Sequence, residues 1–316
     1  MSTDMRDVYA DTLISMARND SRICVLEADL MNATGTKGFK TAFPERFFDV
    51  GVAEADMVGI AAGLASEGKI PFAATFGTFA SRRVFDQFFL SANYAQVPVK
   101  LVGTDPGITA QLNGGTHMPF EDTGMMRLVP HLTVVEPSDI VSLRELLKQA
   151  AEHPGSAYIR LHRKGSQQFY ADNETFTLGK AKVLRDGTDV TLIASGFVMV
   201  PAALKAAEDL ADQGISAAVI DMHTVKPLDT ETVIEYARKT KALVTCENHQ
   251  VIGGLGGAVA EALACSIPTV MECIGVHEQF GQVGDLDYLA GAYRLRSGDI
   301  AEKARRAISR KKELCS

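Results

Sequence analysis

Short apolar runs separated by helical stretches recur along almost the whole chain, and no other feature limits its fold so strongly. Ile23-Cys24-Val25-Leu26 and Phe47-Phe48-Asp49-Val50 are each shorter than a stable helix and more apolar than an exposed loop. Strands are expected there and over 72–75, 98–103, 132–135 and 156–160, with helices over 4–18, 53–67, 79–94 and 137–152. Ser2, Thr3 or Asp4 can cap the first helix. Runs separated by helices belong to strands covered on both faces. The expected fold class is therefore α/β, with mainly parallel sheets flanked by helices. Residues 164–180 lose this rhythm and turn polar, which places an interdomain linker there and a boundary near 178. Beyond it a second α/β unit is expected, with strands 190–195, 216–221, 242–246 and 268–273 and helices 198–213, 229–239, 254–264 and 299–313. A chain of 316 residues accommodates two such domains, 1–178 and 179–316, each with its own core.

Composition removes several classes of function. With 46% hydrophobic and 22% charged residues the chain reads as a compact globule. Its net charge is −7, and its basic clusters are confined to Arg305-Arg306 and Arg310-Lys311-Lys312, which suit a solvated helix face better than a phosphate backbone. No nucleic-acid partner is expected. The five cysteines (Cys24, Cys246, Cys265, Cys273, Cys315) include no C-x-x-C pair, which fits a reducing, cytoplasmic location. No run reaches the roughly 18 to 20 apolar residues of a membrane span, and no signal-peptide pattern opens the chain. Metal-ligand spacings, Walker loops and G-x-S-x-G elbows are absent from the sequence. Gly253-Gly254-Leu255-Gly256-Gly257 has Val259 where a dinucleotide fingerprint needs its third glycine, so it reads as a tight turn before a helix.

Four groups of residues could carry chemistry. Glu54 precedes Met57 by three positions and so shares the apolar face that Met57, Ile60, Ala61 and Leu64 mark. Two roles fit it: a first-turn acid at the positive end of a helix, or a buried acid that needs a partner. Phe76 and Phe79 follow a strand, at the edge where open α/β sheets bind ligands, although taken alone apolar rings more often belong to the core. The aperiodic stretch 104–120 is long enough to be a functional loop, and its His117 follows Gly114-Gly115. Arg160, Arg163 and Lys164 cluster after the next strand, where an arginine fork suits carboxylate or phosphate.

Taken in order, the segments FDVGVAEADMVGIAAGLASEGKIPF, ATFGTFASRRVFDQ and NGGTHMPFEDTGMMRLVPHLTVVEPSD resemble the pyrimidine-binding domain of transketolases. DMHTVKPLDTETV and ENHQVIGGLGGAVAEAL resemble the small C-terminal domain of the same enzymes. The resemblance covers nearly the whole chain. Transketolases are normally about twice as long, and hold the cofactor diphosphate and a divalent cation through an N-terminal Gly-Asp-Gly motif that this sequence lacks. The resemblance therefore implies the C-terminal subunit of a split transketolase. It would work with thiamine diphosphate, with Mg2+ or Ca2+ held by a separate N-terminal subunit, in an α2β2 assembly. Alone it should be inactive.

By the same resemblance, Glu54 would bond N1′ of the cofactor's aminopyrimidine, Phe79 would stack on that ring with Phe76 beside it, and Asp29 would lie near the thiazolium. His117, in a G-x-T-H-x-P motif, would contact the sugar, and Arg163 and Arg6 would hold its phosphate. Asn113 replaces an aspartate that reads a sugar hydroxyl, Thr104 a second histidine, and Ala33 a phosphate-binding serine. These departures bear on which sugar is taken. Rival readings are a 2-oxo-acid dehydrogenase β subunit, a deoxyxylulose-phosphate synthase fragment, and a non-catalytic regulatory subunit of the same fold. The first lacks its usual Glu-Pro-Lys-Arg stretch, where Arg160-Leu161-His162-Arg163-Lys164 stands instead.

Overall fold

A computed structural model describes residues 4–165 and 167–315, apart from the side chains of Leu314 and Cys315. Ser2 and Thr3 lie outside these residues, and Asp4 takes the capping position of the first helix, Met5–Asn19. The chain forms strands β1 (Ile23–Glu27), β2 (Phe47–Asp49), β3 (Ile70–Phe76), β4 (Lys100–Thr104), β5 (Thr133–Val135), β6 (Ala157–Leu161), β7 (Lys182–Arg185), β8 (Val190–Ala194), β9 (Ala217–Asp221), β10 (Thr224–Lys226), β11 (Ala242–Gln250) and β12 (Val270–Val276). They make a seven-stranded sheet of order β10-β5-β6-β4-β3-β1-β2 and a five-stranded sheet of order β12-β11-β8-β9-β7. The first six strands run parallel, as do β8, β9, β11 and β12.

Alternation along β3 shows why the first sheet is apolar throughout. Phe72 and Ala74 face a core shared with Leu13, Leu143 and Leu147, whereas Ala73 joins Met57, Val84 and Phe88 on the opposite side. Helices Met5–Asn19 and Ile140–Glu152 thus cover one face, and Glu54–Ser66 with the 79–94 stretch covers the other. Every crossover brings the chain back to the same edge, so β2, β3, β4 and β6 all deliver their following residues to one crevice.

Four features differ from the expectation. The 79–94 stretch is a short α-turn, Phe85–Gln87, between wide π-type turns Phe79–Arg83 and Phe88–Tyr94. Such turns take up an extra residue, and the first of them brings Arg83 over Phe79. Two strands without a sequence signal, β7 and β10, add antiparallel edges, and β10 pairs with β5 of the other domain's sheet. Strand β11 continues past 246 through a register shift, which carries Glu247, Asn248 and His249 towards the first domain. The polar 164–180 stretch is strapped down: Gln167 Nε2 donates to the Ser138 and Phe197 carbonyls at 2.7 Å, and the Tyr170 hydroxyl donates to Asp221 at 2.8 Å.

Candidate active site

The crevice starts at the end of β2, where helix Glu54–Ser66 begins. Glu54 is 3% exposed, and both its oxygens accept hydrogen bonds from Arg83 Nη1, at 3.0 and 2.9 Å. Its buried partner is therefore present, though Arg83 itself remains 47% exposed. The Arg83 guanidinium lies 4.1 Å from the centroid of the Phe79 ring, a flat cation on an aromatic face. A buried carboxylate closed by a half-exposed guanidinium is an acid that another donor can reach.

Phe76 ends β3 and Phe79 opens the following turn. Both rings are only half-buried, which distinguishes them from core phenylalanines such as Phe72 and Phe88. Their centroids are 6.1 Å apart, and His117 stands edge-on to both, at 5.6 Å from Phe76 and 5.3 Å from Phe79. Gly77 permits this cluster, since a Cβ there would meet Pro119 at 3.1 Å and the Thr104 carbonyl at 3.2 Å. His117 Nδ1 lies 2.9 Å from Thr116 Oγ1, and the Thr78 hydroxyl donates to the Thr116 carbonyl at 3.4 Å, so the two segments are tied together.

Arg163 follows β6, with its guanidinium 5.3 Å from the Phe76 centroid. Asp105 holds it through Nε at 3.1 Å and Nη2 at 2.7 Å. Burial pushes the Asp105 carboxyl up, against the pull of that guanidinium. Arg6 is linked by its backbone N–H to the Arg163 carbonyl at 3.1 Å, and its guanidinium reaches the Ala33 carbonyl and Asp4.

The other expected positions sit differently. Asp29 is exposed, at φ +59°, with its N–H donating to Asp49 Oδ1 at 2.9 Å. Asn113 is exposed on the loop. Thr104 is fully buried at the end of β4, in register with Phe76, and its hydroxyl has no partner among the described residues. Glu54, Phe76, Phe79, His117 and Arg163 therefore come together, whereas neither Asp29 nor Asn113 makes a ring or charge contact with them.

Sequence reading assigned no role to Arg83, Arg82 or Asn248. Arg82 pairs with Glu121 at 3.1 Å and contacts the Thr78 hydroxyl. The one available signal was the Arg82-Arg83 doublet straight after an aromatic turn. Asn248, in the second domain, carried none.

A mainly parallel α/β sheet thus gathers a buried acid, two half-buried rings and a histidine at the ends of its strands. Residues 1–167 match the transketolase pyrimidine binding domain, and residues 179–288 the transketolase C-terminal domain. The 6-deoxy-6-sulfo-D-fructose transketolase subunit SqwH of Clostridium sp. (strain MSTE9) is 52% identical over 307 residues, covering 97% of this chain and 95% of that one. A putative transketolase C-terminal section of Methanocaldococcus jannaschii is 41% identical over 303 residues, covering 95% and 94%. A solved split gene transketolase, described as an inactive beta4 tetramer, superposes with a TM-score of 0.89 at 40% identity, covering 97% of this chain and 98% of that one. The chain belongs to the transketolase family, which depends on thiamine diphosphate, and is a transketolase subunit.

Proposed function

We propose that this chain supplies the pyrimidine side of a two-chain transketolase. The enzyme moves a two-carbon ketol unit from a ketose to an aldose, and a separate subunit holds the cofactor diphosphate and its Mg2+. The observation that carries this reading is a buried Glu54 linked through Arg83 to the Phe79 ring, which clusters with Phe76 and His117. The residues present fit an aminopyrimidine. Arg83 stacks on Phe79 and donates to Glu54, and a heteroaromatic N–H donor would use the same pair of contacts.

When bound, thiamine diphosphate supplies the electron sink for the carbon–carbon cleavage. The chain's own residues then have separable tasks. Glu54 would give and take back a proton at the heterocycle's N1′, Phe79 would orient the ring with Phe76 beside it, and Asp29 would serve the thiazolium side. His117 would contact the sugar near its reacting end, with Asn113 on the same loop, while Arg163 and Arg6 would meet its anionic tail. Thr104, fully buried, would lie behind that wall and not touch the sugar. The 52% identical relative acts on a sugar ending in sulfonate. The shared chemistry is a tetrahedral oxyanion, for which 6-deoxy-6-sulfo-D-fructose and its phosphate counterpart, fructose 6-phosphate, are the two probes. We place the domain boundary near residue 178, in the strapped segment.

The test is to co-express the chain with a subunit bearing Gly-Asp-Gly and assay ketol transfer from both probes with thiamine diphosphate and Mg2+. The complex should be active and the lone chain inactive. Turnover by the lone chain, or none by an assembled complex that binds cofactor, would overturn the proposal.

A further inference from the structure

The loop that carries His117 is packed into the other domain. Ile108, Ala110, Met118 and Phe120 belong to the apolar cluster built by Leu192, Val200 and Val244, and Phe120 lies edge-on to Tyr293 at 5.2 Å. Asn248, 1% exposed on β11, closes the entry to the loop. Its Oδ1 accepts the Ile108 N–H at 2.9 Å and its Nδ2 donates to the Pro106 carbonyl at 2.8 Å. Gly107, between them, has φ +54°, and a Cβ there would meet Asn248 Oδ1 at 2.1 Å. At the exit, Gln250 N–H donates to the Phe120 carbonyl at 2.8 Å. In the middle, a Cβ on Gly115 would meet the Gly281 carbonyl at 2.1 Å, so the 281 loop presses directly on the Gly-Gly step before His117. Arg160 Nη2 in turn donates to the Asn248 carbonyl at 3.0 Å, while its Nε and Nη2 bond Asp122 at 2.8 and 3.0 Å.

A side-chain amide holds a donor and an acceptor side by side on separate atoms, and this one satisfies a carbonyl and an N–H two residues apart. Without it the buried Ile108 N–H would lose its acceptor, the Pro106 carbonyl would keep only the bonds from the Thr109 hydroxyl and N–H, at 2.6 and 3.2 Å, and a glycine-rich loop would regain conformational freedom. We propose that Asn248 is a positioning residue for the substrate loop, and that the second domain serves turnover by holding His117 rather than by touching sugar or cofactor. This inference rests on the reading that His117 meets the sugar.

The test compares Asn248→Leu, which loses both bonds, with Asn248→Asp, which keeps only the acceptor. In the full chain, hydrogen exchange at amides 107–117 should quicken about tenfold or more for Asn248→Leu and less for Asn248→Asp, as one or two buried bonds are lost. Amides of helix Glu54–Ser66 and strand β3 should keep their wild-type rates. In the two-chain complex, KM for whichever of the two sugar probes is turned over should rise several-fold, with thiamine diphosphate affinity within about twofold of wild type. Loop amides that stay protected, or equal loosening of helix and loop, would overturn the role of Asn248 alone. A loosened loop with unchanged sugar kinetics would overturn it together with the placement of His117 at the sugar.

Discussion

Glu54, Phe76 and Phe79 stand at strand ends of a single sheet, within one stretch of chain, whereas His117 hangs on a loop whose apolar side chains fill the core of the neighbouring domain. The first group is placed by crossovers that any sheet of this order must make. The second depends on Asn248, Gln250 and Gly281, more than 100 positions further along the chain. On the roles proposed above, the difference makes cofactor activation and sugar recognition mechanically separable. One side is as rigid as its sheet, and the other is as rigid as a domain seam.

The sharpest way to break that comparison is at the acid. Glu54→Gln should lower turnover of the complex about 10³-fold through loss of proton transfer, with the thermal midpoint of the chain nearly unchanged. Retained activity would remove the acid's role. His117→Ala should cost about 10²-fold in kcat/KM for the sugar, with cofactor titration unchanged, and equal losses in both would erase the separation between the two sides.

Acid should attack the seam and the second domain. Burial holds His162, His223 and His249 neutral, each pushed down to about 4. His249 sits on the seam, its Nε2 accepting the Gly124 N–H at 3.2 Å. The folded pKa lies below the unfolded one, so this stability is whole above about 6.5 and is lost as pH falls from there towards 4. Each histidine would cost about 2 kcal/mol at pH 5, read as a falling urea midpoint. In His249→Gln that fall should be shallower, and an identical pH slope would count against the neutral imidazole.

Smaller effects sharpen the cofactor side. Phe79→Ala should weaken thiamine diphosphate binding roughly tenfold by calorimetry, and an unchanged titration would return that ring to packing alone. Arg83 must withdraw from Glu54 before a heterocycle can bond there, so Arg83→Met should tighten cofactor binding about two- to fivefold. Weaker binding would show instead that the guanidinium helps hold the cofactor.

Much of this was legible in the sequence because it rests on local chemistry. The apolar period marked both sheets, and Glu54 in step with Met57 stood out as an acid on an apolar face, with its burial left for the structure to decide. Phe76 ends a strand and Phe79 opens the turn after it, at the edge where open α/β sheets bind ligands. The 79–94 stretch was read as one helix because π-type turns and α-helices share composition over so few residues. β7 and β10 were missed because short edge strands with polar residues carry no period. Arg83 carries no role in the sequence reading, since an exposed arginine and one that folds back onto an acid have identical neighbours in sequence.

The sequence by itself determined the fold class and the strand ends at which the acid and rings stand, because hydrophobic periodicity and residue chemistry act over a few positions. Only the tertiary structure decided that Arg83 closes Glu54 and that Asn248 grips the His117 loop. Those contacts join residues far apart along the chain through single hydrogen bonds, and a bond of that kind leaves no periodic trace in either segment.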